Sequence, residues 1–158
     1  MDSYYEYIQT VDSELKNEIL NMAKQAAEIF QISDSSDSKR VVEQIKDIVD
    51  GILKTGEFPK RYSELADVAV NLGCLFGEAL CKGYGWRWMD YGDENNCFHG
   101  VVSPQGFFSH APMEYMYKVL SGNNLGLDGK NDNTILLLYN MLEHIDDTPA
   151  DKMYFPLA

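Results

Sequence analysis

Residues 71–104 read NLGCLFGEALCKGYGWRWMDYGDENNCFHGVVSP. The first part is helical. Leu65, Val68, Leu72, Phe76, Ala79 and Leu80 recur at spacings of three and four, which lays an apolar stripe along one face. Gly73 and Gly77 are four apart, so they stack and leave a groove without side chains. Each glycine costs roughly 1 kcal/mol against alanine in a helix interior, and the spacing predicts close packing against a neighbouring sheet or helix. Asn71 and Glu78 interrupt the apolar run, which excludes the membrane-dimer reading of G-x-x-x-G. Glu78 lies between Gly77 and Ala79, at the groove's edge, where backbone or an indole N–H can meet it. A binding or catalytic carboxylate is the other reading.

Lys82 in the last turn and glycine just beyond end the helix. Trp86 to Tyr91 then alternate, with Trp86, Trp88 and Asp90 on one face and Arg87, Met89 and Tyr91 on the other. Trp86 and Trp88 are expected to face the core. Gly92-Asp93-Glu94-Asn95-Asn96 is turn chemistry, and Cys97 to Val102 form the next strand. Ser103-Pro104 ends it, Gln105-Gly106 turns, and Phe107 to His110 make a third strand. The stretch predicts a three-stranded antiparallel meander.

Working outward, Ile8, Val11, Leu15, Ile19, Met22, Ala26 and Ile29 predict a helix from about Asp2 to Gln31. The polar loop Ser33–Ser38 follows, then a second amphipathic helix carried by Val41, Ile45, Ile48 and Ile52. Short connections predict that these two pack as a helical hairpin. Ser63 is the expected cap of the central helix. Beyond the meander, Pro112 suits the first turn of a helix with Met113, Met116, Tyr117 and Leu120 on its apolar side. The loop Ser121–Asp132 has the flavour of a calcium site, but Gly126 and Ile135 fall where ligands belong, so the match fails. Asn133 caps a last helix, Thr134 to about Ile145, whose Ile135-Leu136-Leu137-Leu138 predicts deep packing. The fold class is thus α+β: N-terminal helices packed on a small three-stranded meander with C-terminal helices. One domain spans 1–158, divided into a helical hairpin (1–62), an α+β unit (63–145) and a tail (146–158) in which Met153, Tyr154 and Phe155 stand out.

The segments LGCLFGEALCKGYGWRW, VVSPQG, APMEYMYKVL and NTILLLYNML resemble a family of small uncharacterised bacterial domains found among toxin-immunity proteins. The pattern is a leucine-glycine helix with a G-E pair, a G-W-x-W strand, a V-V-S-P turn and a closing apolar helix, over roughly Leu65 to Leu142. The resemblance implies a protein that neutralises a toxin delivered between competing bacteria. It brings no catalytic residues.

Charge points the same way. Asp and Glu number 25 against 13 Lys and Arg, a net charge of −12. That field repels nucleic acid and anionic membrane surfaces, and favours and accelerates encounter with basic partners. Cys74 and Cys81 are two helical turns apart and cannot bridge each other. The acidic, aromatic start of the chain does not read as a signal peptide, and no stretch reaches the length of a membrane span. A reducing cytoplasm is the expected compartment.

No CxxC, HExxH or close histidine pair is present, and no phosphate-binding glycine loop. Cys97 and His99 share a strand face, roughly 6–7 Å apart, without visible further ligands. The reading is therefore non-enzymatic, with no catalytic residue, metal or cofactor assigned. The expected partner is a cognate, basic protein toxin, met by Arg87, Met89 and Tyr91 beside Asp93 and Glu94. The competing reading, a small hydrolase-like enzyme or ligand-binding domain, needs convergence in a pocket of at least two of Glu78, Asp90, His99, His110 and Glu114. A third, a structural subunit of a larger assembly, predicts an exposed apolar patch. Oligomeric state stays open.

Overall fold

The computed structural model describes residues 7–33, 36–92, 97–147 and 155–156. Its centre is the helix α3, Leu65–Tyr84, in which every residue from Asn71 to Leu80 is buried. In chain order the elements are β1 (Tyr7–Thr10), α1 (Ser13–Ile29), α2 (Ser38–Thr55), α3, β2 (Arg87–Gly92), β3 (Cys97–Val102), β4 (Phe108–His110), α4 (Pro112–Leu120), α5 (Ile135–Met141) and β5 (Phe155–Pro156). Helices α1, α2 and α4 each pack on α3, and α5 packs on α2. The first two helices thus share α3 as their common support rather than packing mainly on each other.

The α+β class holds, but the sheet is larger than a three-stranded meander. Four antiparallel strands run in the order β1-β2-β3-β4, and the two residues of β5 add in parallel to β4. The difference lies at the start of the chain. Tyr7–Thr10 is not the first turn of a helix; it pairs with β2 in the register Tyr7↔Gly92 to Thr10↔Met89. Ile8 and Val11 fit a helical spacing by coincidence, while the outer edge of β2 offers unpaired backbone groups that a strand satisfies. The helix begins only after Asp12, whose side chain accepts from Leu15 N at 2.8 Å.

The other ends obey local chemistry too. Asp37 caps α2 through Arg40 N at 3.2 Å. Helix α3 is capped at Glu64, one residue past the expected Ser63, because Asp67 reaches back to Glu64 N at 3.1 Å. Helix α5 ends at Met141, short of Ile145. Asn133 ties its start to α2 by donating to Lys46 O at 3.0 Å and to Asp50 Oδ1 at 2.8 Å.

The small residues of α3 do what their spacing predicts. A Cβ on Gly73 would lie 2.7 Å from Met113 Cα of α4, and one on Gly77 would collide with the Trp88 indole of β2. Both neighbours reach the helix backbone itself. Trp86 and Trp88 are buried in the same core, with Phe76, Leu72 and Leu80 beneath.

Candidate functional site

Glu78 is buried at 8% exposure, and its charge is met. Trp88 Nε1 donates to Glu78 Oε2 at 2.8 Å, and Lys16 Nζ reaches the same oxygen at 3.3 Å. A buried carboxylate without donors would be costly; here helix α1 and strand β2 each supply one. One turn to either side, Cys74 and Cys81 are free. Burial pushes each thiol up to about 12, and the nearby Glu78 charge adds to the shift. Such thiols are held neutral and are poor nucleophiles at ordinary pH.

The other proposed pocket residues go elsewhere. Asp90 and His99 are cross-strand partners in the β2–β3 register, and Asp90 Oδ1 contacts His99 Nδ1. His99 is the solvent-facing member of this pair and Asp90 the more covered one. His110 is buried between the rings of Phe76 and Tyr115, centroids 5.7 and 5.1 Å away. Glu114 is exposed in the first turn of α4, where a carboxylate suits the helix dipole. Glu78 lines a narrow cavity of about 30 Å³ beside Ser38 and Lys82, which none of the other four shares, and none of the five lines either of the two larger cavities described below. Among the described residues, no group of three His, Cys, Asp or Glu side chains is placed to hold a metal ion, and no helix is long and apolar enough to cross a membrane.

The expected partner face is also redistributed. Arg87 is exposed and Met89 half-buried, but Tyr91 is 3% exposed. Its ring lies over Gly100, where a side chain would collide with it. Tyr91 thus fills the space that the glycine opens in the neighbouring strand, which removes it from the contact surface. Asp93 and Glu94 lie outside the described residues, as does the side chain of Cys97.

An exposed apolar surface lies on α5 and the loop before it. Leu125 and Leu127 in the loop before α5, and Leu137 and Met141 on α5, are 62%, 111%, 58% and 52% exposed. Leu125, Leu137 and Met141 line a groove of about 290 Å³, with Leu138 behind and Asp132 at its border. Helix α5 is therefore not deeply packed all round: Ile135, Leu138 and Tyr139 face the core while Leu137 and Met141 face out. The loop that carries Leu125 and Leu127 is tied down. Leu125 and Asn131 form an isolated bridge, Gly126 N bonds Lys130 O at 2.9 Å, and Asn124 Nδ2 donates to Asp132 O at 2.7 Å. Periodicity does not reveal this surface, because the leucines of LGLDG lie in a loop and α5 reads as apolar on all sides. The one signal is two leucines in a glycine-rich loop with no strand or helix period.

A second crevice, of about 330 Å³, opens between α1 and the first turns of α3. Its base is the chain Gln25–Asn71–Tyr62. Asn71 Nδ2 donates to Gln25 Oε1 at 2.9 Å and to Tyr62 Oη at 3.1 Å. Comparison with protein-family models, curated proteins and solved structures finds no match for this chain.

Proposed function

We propose that the protein is a non-enzymatic, protein-binding protein that acts as a bacterial immunity protein, covering a basic toxin domain and occluding its active site. The observation that supports it best is the exposed set Leu125, Leu137 and Met141 around one groove, with Leu127 exposed on the same loop. Lone exposed leucines are ordinary, but a grouped set around a groove marks a contact surface. From Leu125 to Asp147 the acids are Asp128, Asp132, Glu143, Asp146 and Asp147, against Lys130 alone. An apolar groove bordered by Asp132, in an acidic stretch of chain, fits a partner that presents an apolar anchor framed by Lys and Arg. The net charge of −12 would speed that encounter. The catalytic alternative has little geometry in its favour, since only Asp90 and His99 of its five residues are seen to touch.

The test is capture of partners from the native host at low and high salt, with wild type and Leu127→Asp/Met141→Asp. A basic partner that binds at fixed stoichiometry, is lost from the double variant and is toxic when expressed alone supports the proposal. A partner that is not toxic, or that the double variant retains, overturns it. The same strip favours a second reading, a subunit of a larger assembly. That reading expects a non-toxic partner held equally well at high salt.

A further inference from the structure

The α1–α3 crevice is built unlike the α5 groove. Its walls are apolar: Met22 and Ile29 from α1 and Val70 from α3. Its base is polar and deeply buried, with Asn71 and Tyr62 at 6% and 7% exposure. Its mouth carries two opposite charges, Arg61 and Asp67, both exposed.

The bonding of Asn71 gives the crevice its chemistry. Both amide hydrogens are used, one on Gln25 and one on Tyr62. That leaves Oδ1, an acceptor with two lone pairs, with no donor from the described residues. The residue is more than nine-tenths buried yet borders the cavity, so Oδ1 is open to the crevice, where water or a ligand can donate to it. Arg61 forms no ion pair among the described residues, so its guanidinium is available to a carboxylate. Asp67 already accepts from Glu64 N and from Ser63 Oγ through one oxygen, Oδ2, and its other oxygen is open.

We propose that this crevice binds a free α-amino acid with an apolar side chain. The carboxylate meets Arg61, the ammonium meets Asn71 Oδ1 and Asp67, and the side chain lies against Met22, Ile29 and Val70. The volume of about 330 Å³ is at the small end for ligand sites, which suits one amino acid better than a nucleotide or a sugar chain. Two opposite charges at one mouth select a zwitterion over a peptide end, which carries only one of the two. The inference is independent of the immunity reading: either can fail while the other stands.

Isothermal titration calorimetry of the full chain with L-leucine, L-methionine and L-phenylalanine tests it. At least one of the three is expected to saturate at one per chain. Its amide, which lacks the carboxylate, and its N-acetyl derivative, which lacks the ammonium, are each expected to bind about tenfold more weakly or worse. Arg61→Gln is expected to weaken binding by a similar factor while the melting temperature of the ligand-free protein stays put, because Arg61 is exposed. Saturation by none of the three at millimolar concentration overturns the proposal. So does equal affinity for the amide, which would indicate a peptide N-terminus, for the N-acetyl derivative, or for the Arg61→Gln protein.

Discussion

Trp88 donates its indole N–H to Glu78 Oε2 at 2.8 Å while its ring lies over Gly77. Two neighbouring residues of α3 thus do two jobs for one side chain of β2: Gly77 makes room for the ring and Glu78 satisfies its one polar atom. The G-E pair and the second tryptophan of G-W-x-W are a single packing unit, joined across the turn at Gly85. This accounts for both motifs without chemistry. Trp88→Phe keeps most of the ring but removes the donor, and should cost about 2 kcal/mol. Glu78→Gln keeps an acceptor and should cost less than Glu78→Ala. Urea denaturation of the three variants checks the order.

The glycines of the helices differ in what surrounds them. Gly77→Ala puts a methyl into the Trp88 ring, and should cost about 1–3 kcal/mol through overpacking. Gly51 is exposed within α2 and an added Cβ meets nothing within 4 Å. Gly51→Ala should therefore stabilise by about 0.5–1 kcal/mol. Opposite shifts of the melting temperature would be the outcome; a loss at both positions would contradict the packing described.

Asp147 braces the V-V-S-P turn. Its Oδ1 accepts from Ser103 Oγ at 2.6 Å and Phe107 N at 3.2 Å, and its Oδ2 from Gln105 N at 2.7 Å. Buried Ser103 passes the link on by accepting from Phe108 N at 3.0 Å. Asp147→Ala should cost about 2 kcal/mol and raise amide exchange at Gln105 and Phe107. Unchanged exchange there would show that the turn holds itself.

Alkaline pH should unfold the protein. Burial holds Cys74, Cys81 and Tyr115 at about 12, above ordinary values of 9.0 for the thiols and 10.0 for the phenol. The folded chain then keeps protons that the unfolded chain releases. Stability is full below about pH 9 and falls as pH rises toward about 12. Denaturation midpoints should drop across this window, and Cys74→Ala should make the slope shallower.

Leu127 is fully exposed, so Leu127→Asp should alter stability by less than about 0.5 kcal/mol. Met141→Asp should behave similarly. A loss of partner binding with unchanged melting temperature is the expected result for both.

Much of the interior was legible in the chain. The spacing of Gly73 and Gly77 announced close approach, the alternation from Trp86 onward announced strands, and Glu78 beside small residues announced a carboxylate that needs a donor. These are local patterns, set by the period of a helix or a strand. The limits are equally specific. Ile8 and Val11 fit a helix as well as a strand end, and only the free edge of β2 decided between them. Tyr91 alternates onto the outer face but is buried, because Gly100 on the next strand leaves it a place. The exposed strip on α5 and the open acceptor of Asn71 depend on which neighbours arrive and which do not. The sequence by itself determined the α+β class, the central glycine helix and the strands that follow it, since backbone period and side-chain polarity are written locally. Only the tertiary structure decided the fourth antiparallel strand, the burial of Tyr91 and the two candidate binding surfaces, since exposure is a property of packing between segments far apart in the chain.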